Sequence, residues 1–216
     1  MQLISINIGQ ERTQQNGNKV ETTGIYKIPT NESVEINTLG INKDFIASKK
    51  HHGGPDQAIY IYGSADYDWW SRDLKREITP GTFGENLTIS ELESAQFNIG
   101  DRVHIGGVIF EISAPRIPCS TFAARMEDPQ FVKRFRDAER PGLYCRVIKE
   151  GNVKAGDDVR VEKIFLHETI SLIQVFREYY NKDKSEEMIR KHLNAPIAIR
   201  VRIQMEEELR KILENQ

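Results

Sequence analysis

Residues 114–119, Ala-Pro-Arg-Ile-Pro-Cys, set one of the chain's two cysteines three residues after an arginine. Pro115 and Pro118 restrict φ and lack N–H donors, so the segment is stiff and non-helical. A nearby guanidinium favours the thiolate, the form that binds soft metals or attacks electrophiles, so Cys119 reads as a displayed thiol. Cys145 alternates with Leu143 and Val147 along a strand-like run and reads as an inert core cysteine. A thiolate suits copper, zinc, iron–sulfur or molybdenum, and Arg116 offers fixed, bidentate recognition of phosphate or carboxylate. One cysteine cannot build a metal site from protein alone. Most of the coordination of any metal on Cys119 must therefore arrive with the metal, as it does when an organic cofactor brings its own dithiolene sulfurs.

Two further segments carry chemistry. Residues 48–56 concentrate Lys49, Lys50, His51 and His52 beside Gly53 and Gly54, where a backbone can approach an anion such as phosphate. The same composition also describes a solvated turn. In residues 81–87, glycines flank Phe83 and are followed by Glu85 and Asn86. The amides and the Asn86 carboxamide there suit a heterocycle, and the alternative is a β-turn with Glu85 at the surface.

The elements that must position these groups follow from periodicity. Short apolar runs at 4–8, 20–28, 34–36, 58–62, 86–89, 102–105, 108–113, 143–148 and 159–163 predict strands, and their density predicts a barrel. Ile4, Ile6 and Ile8 alternate along the first; Gly106-Gly107 has the spacing of a tight hairpin. Gly100-Asp101 and Gly156-Asp157 introduce two further strands. Two helices interrupt them: one capped by Ser64 with Tyr67, Trp70 and Leu74 on one face, and one started by Asp128-Pro129 with Phe131, Val132 and Phe135. Beyond Lys163 the period becomes helical. Ser171 precedes Leu172, Val175, Phe176 and Tyr179; Asp183 and Glu186 form a capping-box pair; Pro196 starts a third helix carrying Ile199, Ile203 and Leu209. The fold class is mainly β with helices, a β-barrel over residues 1–163 followed by a small three-helix domain over 164–216. So small a tail is expected to dock on the barrel or on a second subunit, as in a homodimer.

Composition narrows the partners. A chain of 216 residues, 38% hydrophobic and 29% charged, can bury a core, and a net charge of −2 argues against general nucleic-acid binding. Arg200, Arg202, Arg210 and Lys211 interleave with Glu206, Glu207 and Glu208, which describes a mixed surface or docking face. Without a leader pattern or a run long enough to span a bilayer, the expected location is the cytoplasm, with both thiols reduced.

The motifs KKHHGGPD (Lys49 to Asp56), GENL (Gly84 to Leu87), Gly100-Asp101 and PRIPC (Pro115 to Cys119), in this order, resemble the MOSC domain of the bacterial YiiM type, the group linked to 6-N-hydroxylaminopurine resistance. The helical tail resembles the three-α domain that follows it there. The same domain forms the catalytic part of the mitochondrial amidoxime-reducing component and the C-terminal part of molybdenum cofactor sulfurases. The resemblance implies a MOSC-type β-barrel that binds the molybdenum cofactor, a pterin dithiolene with a terminal phosphate. It implies Cys119 as the molybdenum ligand and Lys49, His51 and Arg116 as holders of the anionic cofactor, with Asp56 and Asn86 hydrogen-bonding the pterin or ordering the loops. His52 stands where many relatives carry an apolar residue such as Val, and so is peripheral or lines the substrate entrance.

The implied activity is reduction of N-hydroxylated compounds, with Cys119 setting the metal's electronics and His51 as proton relay. The sequence carries no dinucleotide fingerprint, iron–sulfur cysteines or haem motif, so a separate flavin or iron–sulfur protein is expected to supply electrons. The alternative is a cofactor or sulfur carrier bearing a Cys119 persulfide, without turnover. A zinc hydrolase using His51, His52, Asp56 and Cys119 is the weakest reading, because adjacent histidines on a strand diverge.

Overall fold

The computed structural model describes residues 1–47, 52–164 and 169–214. In chain order its elements are β1 (Leu3–Gly9), β2 (Arg12–Asn16), β3 (Lys19–Thr23), β4 (Lys27–Thr30), β5 (Val34–Asn37), β6 (Gly40–Ile41), β7 (Ile59–Gly63), α1 (Ser64–Leu74), β8 (Leu87–Ile89), β9 (Arg102–Ile105) and β10 (Val108–Pro115). There follow α2 (Ser120–Arg125), α3 (Phe131–Ala138), β11 (Leu143–Lys149), β12 (Gly151–Val153), β13 (Val159–Glu162), α4 (Leu172–Tyr180), α5 (Glu186–Asn194) and α6 (Ile199–Glu214).

Eight strands form one sheet in the order β13-β9-β10-β11-β7-β8-β1-β4. Its pairs are antiparallel except β7 with β8, a parallel pair bridged by the α1 crossover. The sheet curls until β1 meets β13: Leu3 N donates to Asp157 O at 2.9 Å, Gly156 N to Leu3 O at 2.8 Å and Val159 N to Met1 O at 3.0 Å. That closure is the barrel the strand density predicts, and it removes most of the exposed edge. A smaller sheet, β12-β5-β6, and the β2-β3 hairpin complete the strands.

Local chemistry explains where the expectations shift. The alternation of Ile4, Ile6 and Ile8 breaks because β1 bulges against β8 between Leu3 and Ser5, so Leu3 and Ile6 face the core and Ile4 faces solvent. The run at 20–28 divides into β3 and β4. Ile25 N donates to Thr23 Oγ1 at 3.1 Å, and Gly24 passes so close to Phe45 that a Cβ would lie 1.9 Å from its carbonyl oxygen. Gly106-Gly107 does join β9 to β10, with Ile105 opposite Val108.

Among helix starts, Ser64 is not a cap: its Oγ accepts from Glu91 N, and Gly63 holds the N-cap position of α1. Asp128 accepts from Gln130 N at 2.8 Å in a turn before α3, which begins one residue after Gln130. Ser171 caps α4 in a box with Gln174, as its position suggests. Ser185, rather than Asp183, caps α5 by accepting from Met188 N. α6 buries the stripe Val201, Met205, Leu209 and Ile212 and leaves Ile199 and Ile203 exposed at 58% and 50%. The short α2 was not anticipated from periodicity, because six residues are too few to show one.

Two apolar bodies hold the fold. Aliphatic side chains including Ile6, Ile59, Ile61, Val103 and Cys145 fill the barrel, and Leu172, Val175, Ile189, Ile197 and Met205 of the tail join that same core. Aromatic residues Tyr62, Trp70, Phe83, Phe122, Phe131 and Phe135 pack between the sheet and α1 to α3. The tail therefore extends the barrel's core. No helix among the described residues is long and apolar enough to cross a membrane.

A polar clasp reinforces the tail's docking. Asp56, in the 3-10 turn Pro55–Gln57, accepts from Arg146 Nε at 2.9 Å and from Ile199 N, at the start of α6, at 2.6 Å. Arg146 also donates to Ile197 O at 3.2 Å. Asp56→Ala is expected to cost about 1–3 kcal/mol, since it removes charge-assisted bonds on a partly exposed group. In hydrogen exchange the Ile199 amide should lose protection while Ile59 and Ile61 in β7 keep theirs; uniform loss across the barrel would contradict this role.

Candidate functional site

The proline-bounded loop leaves Cys119 extended, with φ −130° and ψ 172°, at the N-cap position of α2. Its carbonyl accepts from Phe122 N and Ala123 N, both at 3.1 Å, so the backbone rather than the thiol starts the helix. Cys119 is thus a half-buried free thiol. Cys145 is fully buried in β11, and burial pushes its thiol well above the ordinary range. The two cysteines differ in burial in the way their sequence contexts suggest.

Arg116 is 4% exposed. It donates through Nη1 to Phe83 O, and its guanidinium lies 4.2 Å from the Phe122 ring centroid and 5.0 Å from that of Tyr60. Its Nε has no hydrogen-bond partner, and no carboxylate among the described residues pairs with it. This buried cation is held by the Phe83 carbonyl, the Tyr60 side chain and the Phe122 ring, with no carboxylate partner among the described residues, an environment that accommodates an anion beside it. Gly84 adopts φ +71° here, and a Cβ on it would come within 2.9 Å of Ile25 and 3.4 Å of Arg116 Nη1. The glycine of the GENL motif therefore takes the left-handed backbone and lets Ile25 pack against the loop.

Glu85 is fully buried, which rules out the alternative of a turn with Glu85 at the surface. Its carboxylate accepts from Gly81 N at 2.6 Å, Phe83 N at 3.2 Å, Thr88 Oγ1 at 2.9 Å and the Tyr67 hydroxyl. Burial raises its pKa, and these donors work against that rise. The arrangement freezes the loop that presents Asn86.

Asn86 belongs to a buried polar hub. Its Nδ2 donates to Asp44 Oδ2 at 2.9 Å, and its Oδ1 accepts from Tyr60 N at 3.1 Å. Asp44 also accepts from Gly9 N at 2.7 Å and pairs with Lys27 Nζ at 2.5 Å, with both ionic groups buried. Desolvation lowers the Lys27 pKa and Asp44 pulls it back up. Lys27 and Asp44 carried no signal in the sequence, because neither sits in a motif and their meeting is long-range.

These groups surround a cavity of about 700 Å³. Tyr60, Asn86, Arg116 and Cys119 line it from the barrel, and His52 and Gly53 from the segment that follows the KKH run. Val175, Tyr179, His192, Val201 and Met205 line it from the helical tail, which sequence reasoning did not assign to a site. The β2-β3 hairpin adds a wall through Glu21, Thr22 and Thr23, and is pinned to α2 by Gln14 Nε2 donating to Thr121 O at 3.1 Å. Asp56 does not line the cavity; both its oxygens serve the tail clasp. Lys49 and His51 lie outside the described residues. Among the described residues no three His, Cys, Asp or Glu side chains converge as a metal site. Arg202 donates to Leu193 O and Ala195 O, closing α5.

Comparison with known proteins points one way. Residues 48–160 match the MOSC domain. An uncharacterized Bacillus subtilis protein, YflK, is 32% identical over 160 residues, 74% of this chain and 72% of its own length. A Gibberella moniliformis protein named "Reductase" is 30% identical over 161 residues, which are 73% of this chain and 28% of that longer protein. The crystal structure of YiiM from Geobacillus stearothermophilus superposes with a TM-score of 0.78 at 25% identity, over 96% of this chain and 98% of that one.

Removing one side of the hub tests its energetics. Asp44→Ala strands a buried ammonium and is expected to cost about 3–5 kcal/mol in chemical denaturation. Lys27→Met should cost clearly less, because Asp44 keeps its donors from Gly9 and Asn86; equal losses would contradict the assignment. A second test concerns His192, whose pKa burial lowers from the ordinary 6.5. The unfolded chain binds this proton more readily, so the group's contribution to stability is complete above about pH 6.5 and is lost as pH falls through the folded value. Urea titrations should show that acid-side slope flattened in His192→Phe, and an unchanged slope would overturn it.

Proposed function

The chain belongs to the MOSC-domain family, and from that premise we propose that it holds the molybdenum cofactor against the Cys119 wall and reduces N-hydroxylated compounds such as 6-N-hydroxylaminopurine. The observation that carries this reading is a free thiol and a buried arginine with no ion pair among the described residues, both on one cavity.

The residues suit that group. One soft donor, with no cluster of further ligands among the described residues, calls for a metal whose remaining ligands come with it. Cys119 Sγ would be the protein's ligand. Arg116, a cavity-lining cation with no ion pair among the described residues, would hold the anionic part of the cofactor by charge-assisted hydrogen bonds. Asn86 has both ends of its amide committed to Asp44 and Tyr60, so it shapes the wall by ordering the loop. Lys49 and His51, next in sequence to the cavity-lining His52, are retained as cofactor holders, with His51 as proton relay.

When bound, the cofactor supplies the two-electron chemistry that breaks an N–O bond. An R–NH–OH substrate takes two electrons and two protons and leaves as R–NH2 and water. The tail adds a mixed wall, Val175, Tyr179, Val201 and Met205 beside Lys184, Arg200 and Gln204, and the stiff Pro115 to Cys119 loop fixes where the sulfur sits. Two cysteines and no dinucleotide fingerprint support a separate flavin or iron–sulfur protein as electron donor.

The test is elemental analysis of protein from a host that makes the cofactor, coupled to reduction of 6-N-hydroxylaminopurine by dithionite-reduced viologen. Wild type should carry near-stoichiometric molybdenum. Cys119→Ser should lose turnover by at least about a hundredfold, and Arg116→Gln should retain about tenfold less cofactor. Folded wild type without molybdenum, from a host that loads a control enzyme, would overturn the reading; transferable sulfur on Cys119 without reduction would instead mark a carrier.

A further inference from the structure

Three arginines gather at the rim of the cavity. The guanidinium of Arg12, on β2, lies 4.2 Å from the centroid of the Tyr26 ring, and that of Arg125, at the end of α2, lies 4.6 Å from the same centroid. Arg76, just past α1, is the third: burial lowers the Arg125 pKa, and Arg76 and Arg12 push it the same way, as nearby like charges must. Arg12 and Arg76 are exposed and Arg125 is half-buried. None of the three side chains has an ion pair among the described residues. Glu85 acts on Arg125 from the interior with its oxygens already committed. Glu21, on the same face of the hairpin as Arg12, is taken by Gln14 and Asn16. A cation over a ring gains attraction but keeps its charge, so the patch is positive at its surface.

Its place in the fold ties this patch to the site. Tyr26 follows Ile25 directly, Arg12 pairs with Thr23 in the hairpin, and α2 leads from Cys119 to Arg125. Ile25, Thr23 and Cys119 all line the cavity. A helix rises about 1.5 Å per residue, so Arg125 stands about 9 Å along α2 from Cys119. Gln14 Nε2 donating to Thr121 O and Asn16 Nδ2 donating to Ser120 Oγ at 3.0 Å fasten the hairpin to that helix. A net charge of −2 supplies no wider basic field to hold nucleic acid. Redox partners meet through small, transient contacts, and complementary charge steers their encounter.

We infer that Arg12, Arg76 and Arg125 around Tyr26 form the docking surface for the electron donor, and that this donor is a flavoprotein with an acidic face. That a donor is needed rests on the reading above. Docked there, it delivers its electrons beside the helix that Cys119 begins.

The probe is flavodoxin, a small acidic flavoprotein, kept reduced by NADPH and its reductase and added to molybdenum-loaded protein with 6-N-hydroxylaminopurine; dithionite-reduced viologen is the small-molecule control. Flavodoxin-driven turnover of wild type should fall as ionic strength rises. In the double variant Arg12→Glu, Arg125→Gln it should fall at least about tenfold, while viologen-driven turnover stays within about twofold. Amide NMR of loaded wild-type protein decides the matter even if that variant does not fold. Oxidised flavodoxin should shift Arg12, Tyr26, Arg76 and Arg125 and leave Ile199 and Ile203 on α6 unmoved. Flavodoxin turnover indifferent to salt and to both substitutions, shifts centred on α6, or viologen turnover with none from flavodoxin would overturn this docking surface and leave the proposed reduction standing. Shifts at the patch without reduction by viologen would sustain the surface and count against the reduction.

Discussion

A buried ammonium needs a counter-charge, and the cavity is organised around that constraint. Asp44 answers Lys27 and in the same act receives Gly9 N at the end of β1 and the Asn86 amide at the entry to β8. Asn86 in turn accepts from Tyr60 N, and the Tyr60 ring lies beside the Arg116 guanidinium. A displacement at Asp44 would therefore propagate through Asn86 and Tyr60 to the cation that faces the cavity. Such polar clusters are stabilising only when every member is satisfied, and the hub meets that condition, whereas Arg116 and His192 at the cavity wall do not.

Groups whose bonding capacity is spent inside the protein, such as Glu85 and Asp56, hold loops and the tail in place. Arg116 Nε and His192 Nε2 are among several buried polar atoms without a partner among the described residues, and both residues line the cavity that also holds the free Cys119 thiol. The barrel alone would leave that cavity open on one side. The tail walls that side, held there by sharing the barrel's aliphatic core and by the Asp56–Arg146 clasp.

What was legible in the sequence was local. Cys119, Arg116 and Asn86 stand in short motifs, and all three reach the cavity; Cys145 was readable as core from simple alternation. Strand and helix content followed from period, while boundaries moved where a single side chain or backbone approach intervened, as at the β1 bulge, Thr23 and Ser185. The rest depended on distant partners. Lys27 and Asp44 meet across 17 positions, and Asp56 meets Ile199 across 143, so no motif could announce them. His192 looked like any residue of an amphipathic helix until the tail was seen folded over the site. Ile199 and Ile203 share a helical face that the barrel does not cover, a choice made by docking rather than by pattern.

The central claim is that Cys119 sulfur completes the coordination of a molybdenum centre whose other sulfurs come with the cofactor. X-ray absorption at the molybdenum edge tests it most directly, on wild-type and Cys119→Ser protein loaded in the same host. The account predicts one more sulfur neighbour in wild type than in the variant, with the dithiolene contribution unchanged. Identical sulfur shells in two equally loaded proteins would contradict it.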